Sequence, residues 1–150
     1  MQKLIIMFLM VVATTLNAQD IALKWLVDIE EAKTLSKAQN KPILVYFTGS
    51  DWCGPCKRLK TDFFDSNAFK SNADAMVLLL VDMPRRKDII TIEQRKKNEA
   101  LMKTYNTKGS FPNIIGLDAK GKVITEISGY NMMRDTRYHF EFLEELFDKF

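Results

Sequence analysis

Two short stretches constrain this chain before anything else does. Ile43 to Phe47 (ILVYF) and Ala75 to Asp82 (AMVLLLVD) are apolar at nearly every position. Such short, unbroken runs, rich in Val, Ile, Leu and aromatics, predict strands buried on both faces rather than strands with one wet side. Between them, Cys53 to Lys70 reads as helix, with Leu59, Phe63 and Phe64 on its buried side. A crossover of that length joins two strands in parallel, with a right-handed connection. Upstream, Leu26, Ile29, Ala32 and Leu35 place one apolar face on a predicted helix from Leu23 to Ala38, which Asn40-Lys41-Pro42 ends. Downstream, a basic loop after Pro84 leads into a helix from Glu93 to Tyr105, and Thr107 to Pro112 is a turn. Asn113–Leu117 and Lys122–Ile127 flank Asp118-Ala119-Lys120-Gly121, a hairpin signal. A last helix, Tyr138 to Phe150, repeats Phe140, Leu143, Leu146 and Phe147 at helical spacing. The expected order is α-β-α-β-α-β-β-α, an α/β fold whose helices cover both faces of one mixed sheet.

The N-terminus stands apart from this pattern. Met1-Gln2-Lys3 precedes an apolar run from Leu4 to Ala13, then Thr14 to Ala18. The run is long enough for the core of a signal peptide and too short for a bilayer span of ~20 residues. Residues 1–18 are therefore expected to be a signal peptide and 19–150 a single exported domain. That domain is periplasmic if the source is a Gram-negative bacterium and secreted otherwise, without stable membrane insertion after cleavage. An uncleaved anchor is the disfavoured alternative. Charge adds little: with 22 Lys and Arg against 19 Asp and Glu, the net +3 leaves no nucleic-acid footprint.

The chain's only cysteines, Cys53 and Cys56, lie in TGSDWCGPCKRLK (residues 48–60). Such a pair can serve as a redox couple, half of a metal site, or a structural disulfide. A bridge this short removes little unfolded-chain entropy, which argues against a purely structural role. Zinc wants four ligands, and His139 is the only further strong donor of its kind; its place in the last helix favours a surface or half-buried ring. Met132 and Met133, conceivable copper(I) ligands, read better as packing residues. No metal and no other cofactor is expected.

The predicted order, with WCGPC closing the first strong strand, resembles the thioredoxin superfamily. KPILVYFTGSDWCGPCKRLK is similar to the segment that carries the family's redox pair. LMKTYNTKGSFPNIIGLDAKGKVITEISGY resembles its second signature, a proline before a strand, hairpin and second strand. The resemblance implies a three-layer α/β/α sandwich with a mixed central sheet. It also implies that Pro112 is the family's cis-proline, and that Trp52, Gly54, Pro55, Phe111 and Pro112 help bind substrate around the cysteines. Two departures stand out. The position often held by a buried acid falls on Tyr46, a poor proton acceptor, and Asn113 follows the proline where threonine is commoner. Asp51, the nearest carboxylate, sits where it can cap the helix.

Thiol–disulfide exchange needs a thiolate. Cys53, at a strand-to-helix junction, lies where free N–H groups and the helix dipole favour negative charge, so it is the expected nucleophile. Cys56, one turn on, is the expected resolving thiol. Gly-Pro between them resembles the reducing end of the family. That favours an exported reductase of protein disulfides, recharged by a membrane-bound thiol donor. A disulfide isomerase, or a non-enzymatic peptide-binding or chaperone module, is the alternative. Arg85, Arg86 and Lys87 should emerge at the same sheet edge as CGPC. A solvated loop is the favoured reading for them, and selection of an acidic partner the sharper one. Arg95, Lys96 and Lys97 read as the wet face of their helix.

Overall fold

The computed structural model describes residues 22–150, so the expected signal peptide lies outside the described residues. Within them the elements are β1 (Trp25–Leu26), α1 (Ile29–Gln39), β2 (Ile43–Thr48), α2 (Gly54–Leu59), α3 (Asn67–Asn72), β3 (Val77–Asp82), α4 (Ile92–Tyr105), β4 (Asn113–Leu117), β5 (Val123–Ser128) and α5 (Arg137–Lys149). The strands form one sheet in the order β1-β3-β2-β4-β5. β1, β3 and β2 run parallel, while β4 is antiparallel to both β2 and β5. This is the mixed sheet expected.

Why the central runs are continuously apolar is now plain, because the two faces of each strand feed separate cores. Leu44, Tyr46, Leu78 and Ile114 face the cluster built with Leu59, Phe63, Phe64, Phe69, Phe142 and Leu146. Ile43, Val45, Phe47, Leu79, Val81 and Ile115 face a second cluster with Ala32 and Leu101. α2, α3 and α5 thus cover one face and α1 and α4 the other, giving three layers. Each large side chain fully withdrawn from water contributes about 1.5–3 kcal/mol before entropy is counted. α5 lies close on β4: a Cβ on Gly116 would stand 2.4 Å from Leu146 Cδ1, so glycine is what permits the approach.

Three boundaries differ from the sequence reading. The first helix does not begin at Leu23. Trp25 and Leu26 pair with Leu78 and Leu79 as an edge strand, and Asp28 caps α1 by accepting the N–H groups of Glu30 and Glu31. Asp28 followed by Glu31 is a capping signature that the helical spacing of Leu26 and Ile29 obscured. The long helix after Cys53 is also broken. Lys60–Phe64 forms a π-helical turn, Ser66 caps α3, and Ala73–Ala75 is a 3-10 turn, so β3 starts at Val77 rather than Ala75. The wider turn lets consecutive Phe63 and Phe64 both reach the core, Phe64 against Trp25 and Tyr46, Phe63 against Phe69 and Phe140. The last helix buries Leu143 and Leu146 and packs Phe140 on the core as expected, but its face also takes in His139 and Phe142, while Phe147 is 37% exposed.

Two further expectations are corrected. Met132 and Met133 are not packing residues; they stand 80% and 87% exposed in the loop between β5 and α5. His139 is fully inside, its ring 5.4 Å from both Phe63 and Tyr130, because α5 turns it toward the sheet. Burial pushes its pKa below the ordinary histidine value. The unfolded chain therefore binds the proton more readily, so stability is greatest above about 6.5 and falls as the pH drops below it. Chemical denaturation between about pH 7.5 and about pH 5 should show this loss, and His139→Leu should flatten it. Parallel pH profiles for the two proteins would contradict this account.

Candidate active site

The site is built where β2 runs out. Thr48 is the last strand residue, and the carbonyl of Gly49 accepts the N–H groups of Trp52 (3.2 Å) and Cys53 (2.8 Å), closing a tight turn. Gly49 is needed there because the Trp52 indole lies on it, with Cε2 2.3 Å from where a Cβ would be. Cys53 is the N-cap of α2, in extended conformation, with Gly54 and Pro55 following in the first turn. Its sulfur accepts the Cys56 N–H at 3.2 Å. One of the helix's orphan donors is thus aimed at the sulfur itself, which favours negative charge there. Cys53 and Cys56 are joined as a disulfide with their Cα atoms 5.3 Å apart. Both are buried, Cys53 at 3% and Cys56 at 1% exposure, so the cap geometry distinguishes them more than access does.

Trp52 ties the motif to two other segments. Its Nε1 donates to the Met83 carbonyl at 2.8 Å, at the end of β3. Its ring meets Phe111 edge-on at 5.3 Å between centroids. The Phe111–Pro112 peptide bond is cis, as the resemblance implied. The preceding loop is held by Asn106, whose side chain donates to the Ser110 carbonyl and accepts the Ser110 N–H. The Pro112 carbonyl accepts the Gly129 N–H at 2.8 Å, bringing the start of the β5–α5 loop to the same edge. Asn113 is fully buried in β4 and donates to Glu126 on β5.

Asp51 does not cap α2, since Cys53 itself does. Its carboxylate instead accepts the backbone N–H groups of Arg85 (3.0 Å) and Arg86 (2.9 Å), which hold its pKa below the usual carboxylate range. Three residues that sequence reasoning gave no such role stand out. Tyr46 Oη donates to the Cys56 carbonyl at 3.1 Å, and burial above all pushes its pKa up to about 12. Asp82, buried at the end of β3, accepts from both the N–H (2.9 Å) and the hydroxyl (2.6 Å) of Ser50. Behind the motif lies a cavity of about 410 Å³, whose lining includes Cys56, Tyr46, Thr48, Asp82, Trp25 and Phe64. These contacts join residues more than thirty positions apart or sit inside an apolar run, so no local pattern announces them. Among the described residues, no three His, Cys, Asp or Glu side chains gather as a metal site, and His139 belongs to the α5 core instead.

Arranged this way, the residues present an oxidised dithiol whose first sulfur sits at a helix N-terminus. It lies beside a half-buried aromatic pair and a cis-proline turn. A family model described as a thioredoxin-like domain matches residues 29–141, and the chain belongs to that family. Among named relatives, the chain is 38% identical over 98 residues to the disulfide bond reductase DsbH of Chlamydia pneumoniae, covering 65% of this chain and 58% of DsbH. It is 25% identical over 114 residues to the thioredoxin-related protein DsbJ of the same organism, covering 76% of this chain and 32% of DsbJ. The chain thus spans less than two thirds of the length of either curated relative. A solved structure of a DsbH oxidoreductase superposes with a TM-score of 0.73 at 32% identity, over 85% of this chain and 87% of that one.

Tyr46→Phe removes the hydrogen bond to the Cys56 carbonyl and should lower stability by about 1 kcal/mol. Because Tyr46 stays protonated to about 12, the loss measured by denaturation should be the same from about pH 6 to about pH 9. A loss that varies with pH in that window would contradict this role.

Proposed function

We propose that this chain is an exported thiol–disulfide oxidoreductase that reduces disulfides in protein substrates. The observation that carries the reading is Cys53 as the N-cap of α2, accepting the Cys56 N–H and bonded to Cys56. In the reduced enzyme the Cys53 thiolate attacks one sulfur of a substrate disulfide. A mixed disulfide forms, and the other substrate sulfur leaves as a thiolate that takes up a proton. Cys56, having lost its proton, then attacks Cys53 Sγ. The second substrate thiol is released, and the Cys53–Cys56 disulfide remains. Two electrons have moved from the enzyme to the substrate, and a membrane-bound dithiol donor restores them by the reverse exchange.

Trp52, Gly54, Pro55, Phe111 and Pro112 form the surface on which the substrate chain lies during these steps. The name of the 38%-identical relative, a disulfide bond reductase, supports the direction of electron flow. Residues 1–18 act as the signal for export and 19–150 as the working domain. Among the described residues no helix is long and apolar enough to cross a membrane.

Two measurements test this. Cys56→Ala should accumulate substrate proteins linked to Cys53, whereas Cys53→Ser should trap nothing and lose exchange activity. If Cys56→Ala holds no Cys53-linked protein in the native compartment, the exchange reading fails. For direction, equilibration with a dithiol buffer should give a potential more negative than about −200 mV, on the thioredoxin side of the range rather than near the ~−120 mV of a strong oxidant. A value near that oxidant would contradict the reductase assignment.

A further inference from the structure

The basic segment between β3 and α4 looked in sequence like a solvated loop. In the structure it is fastened on three sides. Asp51 accepts the N–H groups of Arg85 and Arg86. Trp52 Nε1 donates to the Met83 carbonyl. Arg95, far from being merely wet, donates from Nη2 to the carbonyls of Pro84 (2.9 Å) and Arg86 (3.2 Å). The backbone of the loop is therefore part of the site's frame, fastened by the turn that leads into CGPC and by α4.

The charges on this frame do not cancel. Arg86 is matched by Asp88 through paired contacts at 3.1 and 2.5 Å. Arg85 is exposed and lies 4.7 Å from the centroid of the Trp52 ring, next to Cys53. Placed over the indole, the guanidinium gains a cation–π contact and keeps its N–H donors for a carboxylate. Lys87 is exposed as well, and among the described residues neither it nor Arg85 forms an ion pair. Lys57, on α2, brings its Nζ to 3.4 Å from the Asp51 carbonyl. Of the acids nearby, Asp88 pairs with Arg86 and Asp82 is buried under Ser50, while Asp51 keeps its charge as it accepts two backbone donors, so Arg85, Lys87 and Lys57 outnumber the one carboxylate left without a cation.

We propose that Arg85 and Lys87, with Lys57 beside them, form a cationic wall of the substrate groove that selects protein segments carrying acidic residues next to the reacting disulfide. An acidic segment is drawn to the groove and held by the Arg85 guanidinium, whereas a basic one is repelled before its sulfurs reach Cys53. This rests on the exchange reading above and adds which substrates exchange fastest.

The test uses the reduced protein and two disulfide-linked peptides, identical except that the residues flanking the cysteine are glutamates in one and lysines in the other. At low ionic strength the acidic peptide should oxidise the protein about tenfold faster, within the range that charge steering produces. The ratio should fall toward unity near 1 M salt, where the screening length is about 3 Å. It should also fall toward unity in the Arg85→Ala/Lys87→Ala double variant. Lys87→Glu, at a side chain that makes no bond within the described fold, should lower the ratio as well and separates charge from any disturbance of Trp52. Equal rates for the two peptides, or a preference that survives in the double variant, would overturn the wall. Failure of both peptides to exchange would instead remove the thiol chemistry on which it rests.

Discussion

The contact on which the site depends is the hydrogen bond from the Cys56 N–H to Cys53 Sγ, made across the first turn of α2. It exists because β2 delivers Cys53 to the helix entrance with nothing left to adjust. β2 is held between β3 and β4, and its side chains Ile43 to Phe47 are withdrawn from water on both faces. Moving the strand would expose two cores at once. The Gly49 carbonyl turns the chain, Tyr46 reaches forward to the Cys56 carbonyl, and the cysteines inherit the rigidity of the sheet. Thiolate chemistry in water-excluded surroundings needs this, because the stabilising N–H groups must already point at the sulfur when charge appears.

The neighbouring segments are joined to this junction mainly through polar bonds. Ser50 binds Asp82, Asp51 binds the Arg85–Arg86 backbone, Trp52 binds Met83, and Asn98 on α4 donates to the Asp82 carbonyl at 2.7 Å. The Ser50, Trp52 and Asn98 bonds satisfy groups that would be costly to leave unpaired at the end of a buried strand, whereas the Asp51 bonds lie exposed. Together they convert the loop after β3 from a connection into a wall. On the opposite side, Gly129 binds the Pro112 carbonyl, and Arg134 and Tyr130 hold Asp62 below α2, its pKa drawn down to about 2 by Arg134 first. The CGPC turn is thereby fastened from both flanks.

Much of this was legible in the residues. The two apolar runs announced buried parallel strands. Asp118 accepts the N–H groups of Lys120 and Lys122, and Gly121 takes the positive φ of 85° that the hairpin signal implied. Cys53 at a helix entrance followed from its place after a strand. What stayed hidden falls into two kinds. β1 and the π-helical turn are short departures whose apolar residues also fit helical spacing, so periodicity merged them into longer helices. Asp51, Ser50, Asp82 and Tyr46 act through partners distant in sequence or through backbone groups, and residue type alone does not reveal such bonds. Met132 and Met133 belong with these, since a pair of apolar residues in a loop says nothing about which way the loop faces.

The account turns on Cys53 being the sulfur that the fold prepares for attack. Its most direct test is alkylation of the reduced, folded protein by iodoacetamide across pH, with each cysteine followed separately by mass. Cys53 should react first, with a midpoint below the ~8.5 of an ordinary thiol, and Cys56 should follow only at higher pH. Equal reactivity of the two cysteines, or a Cys53 midpoint at or above ~8.5, would contradict it.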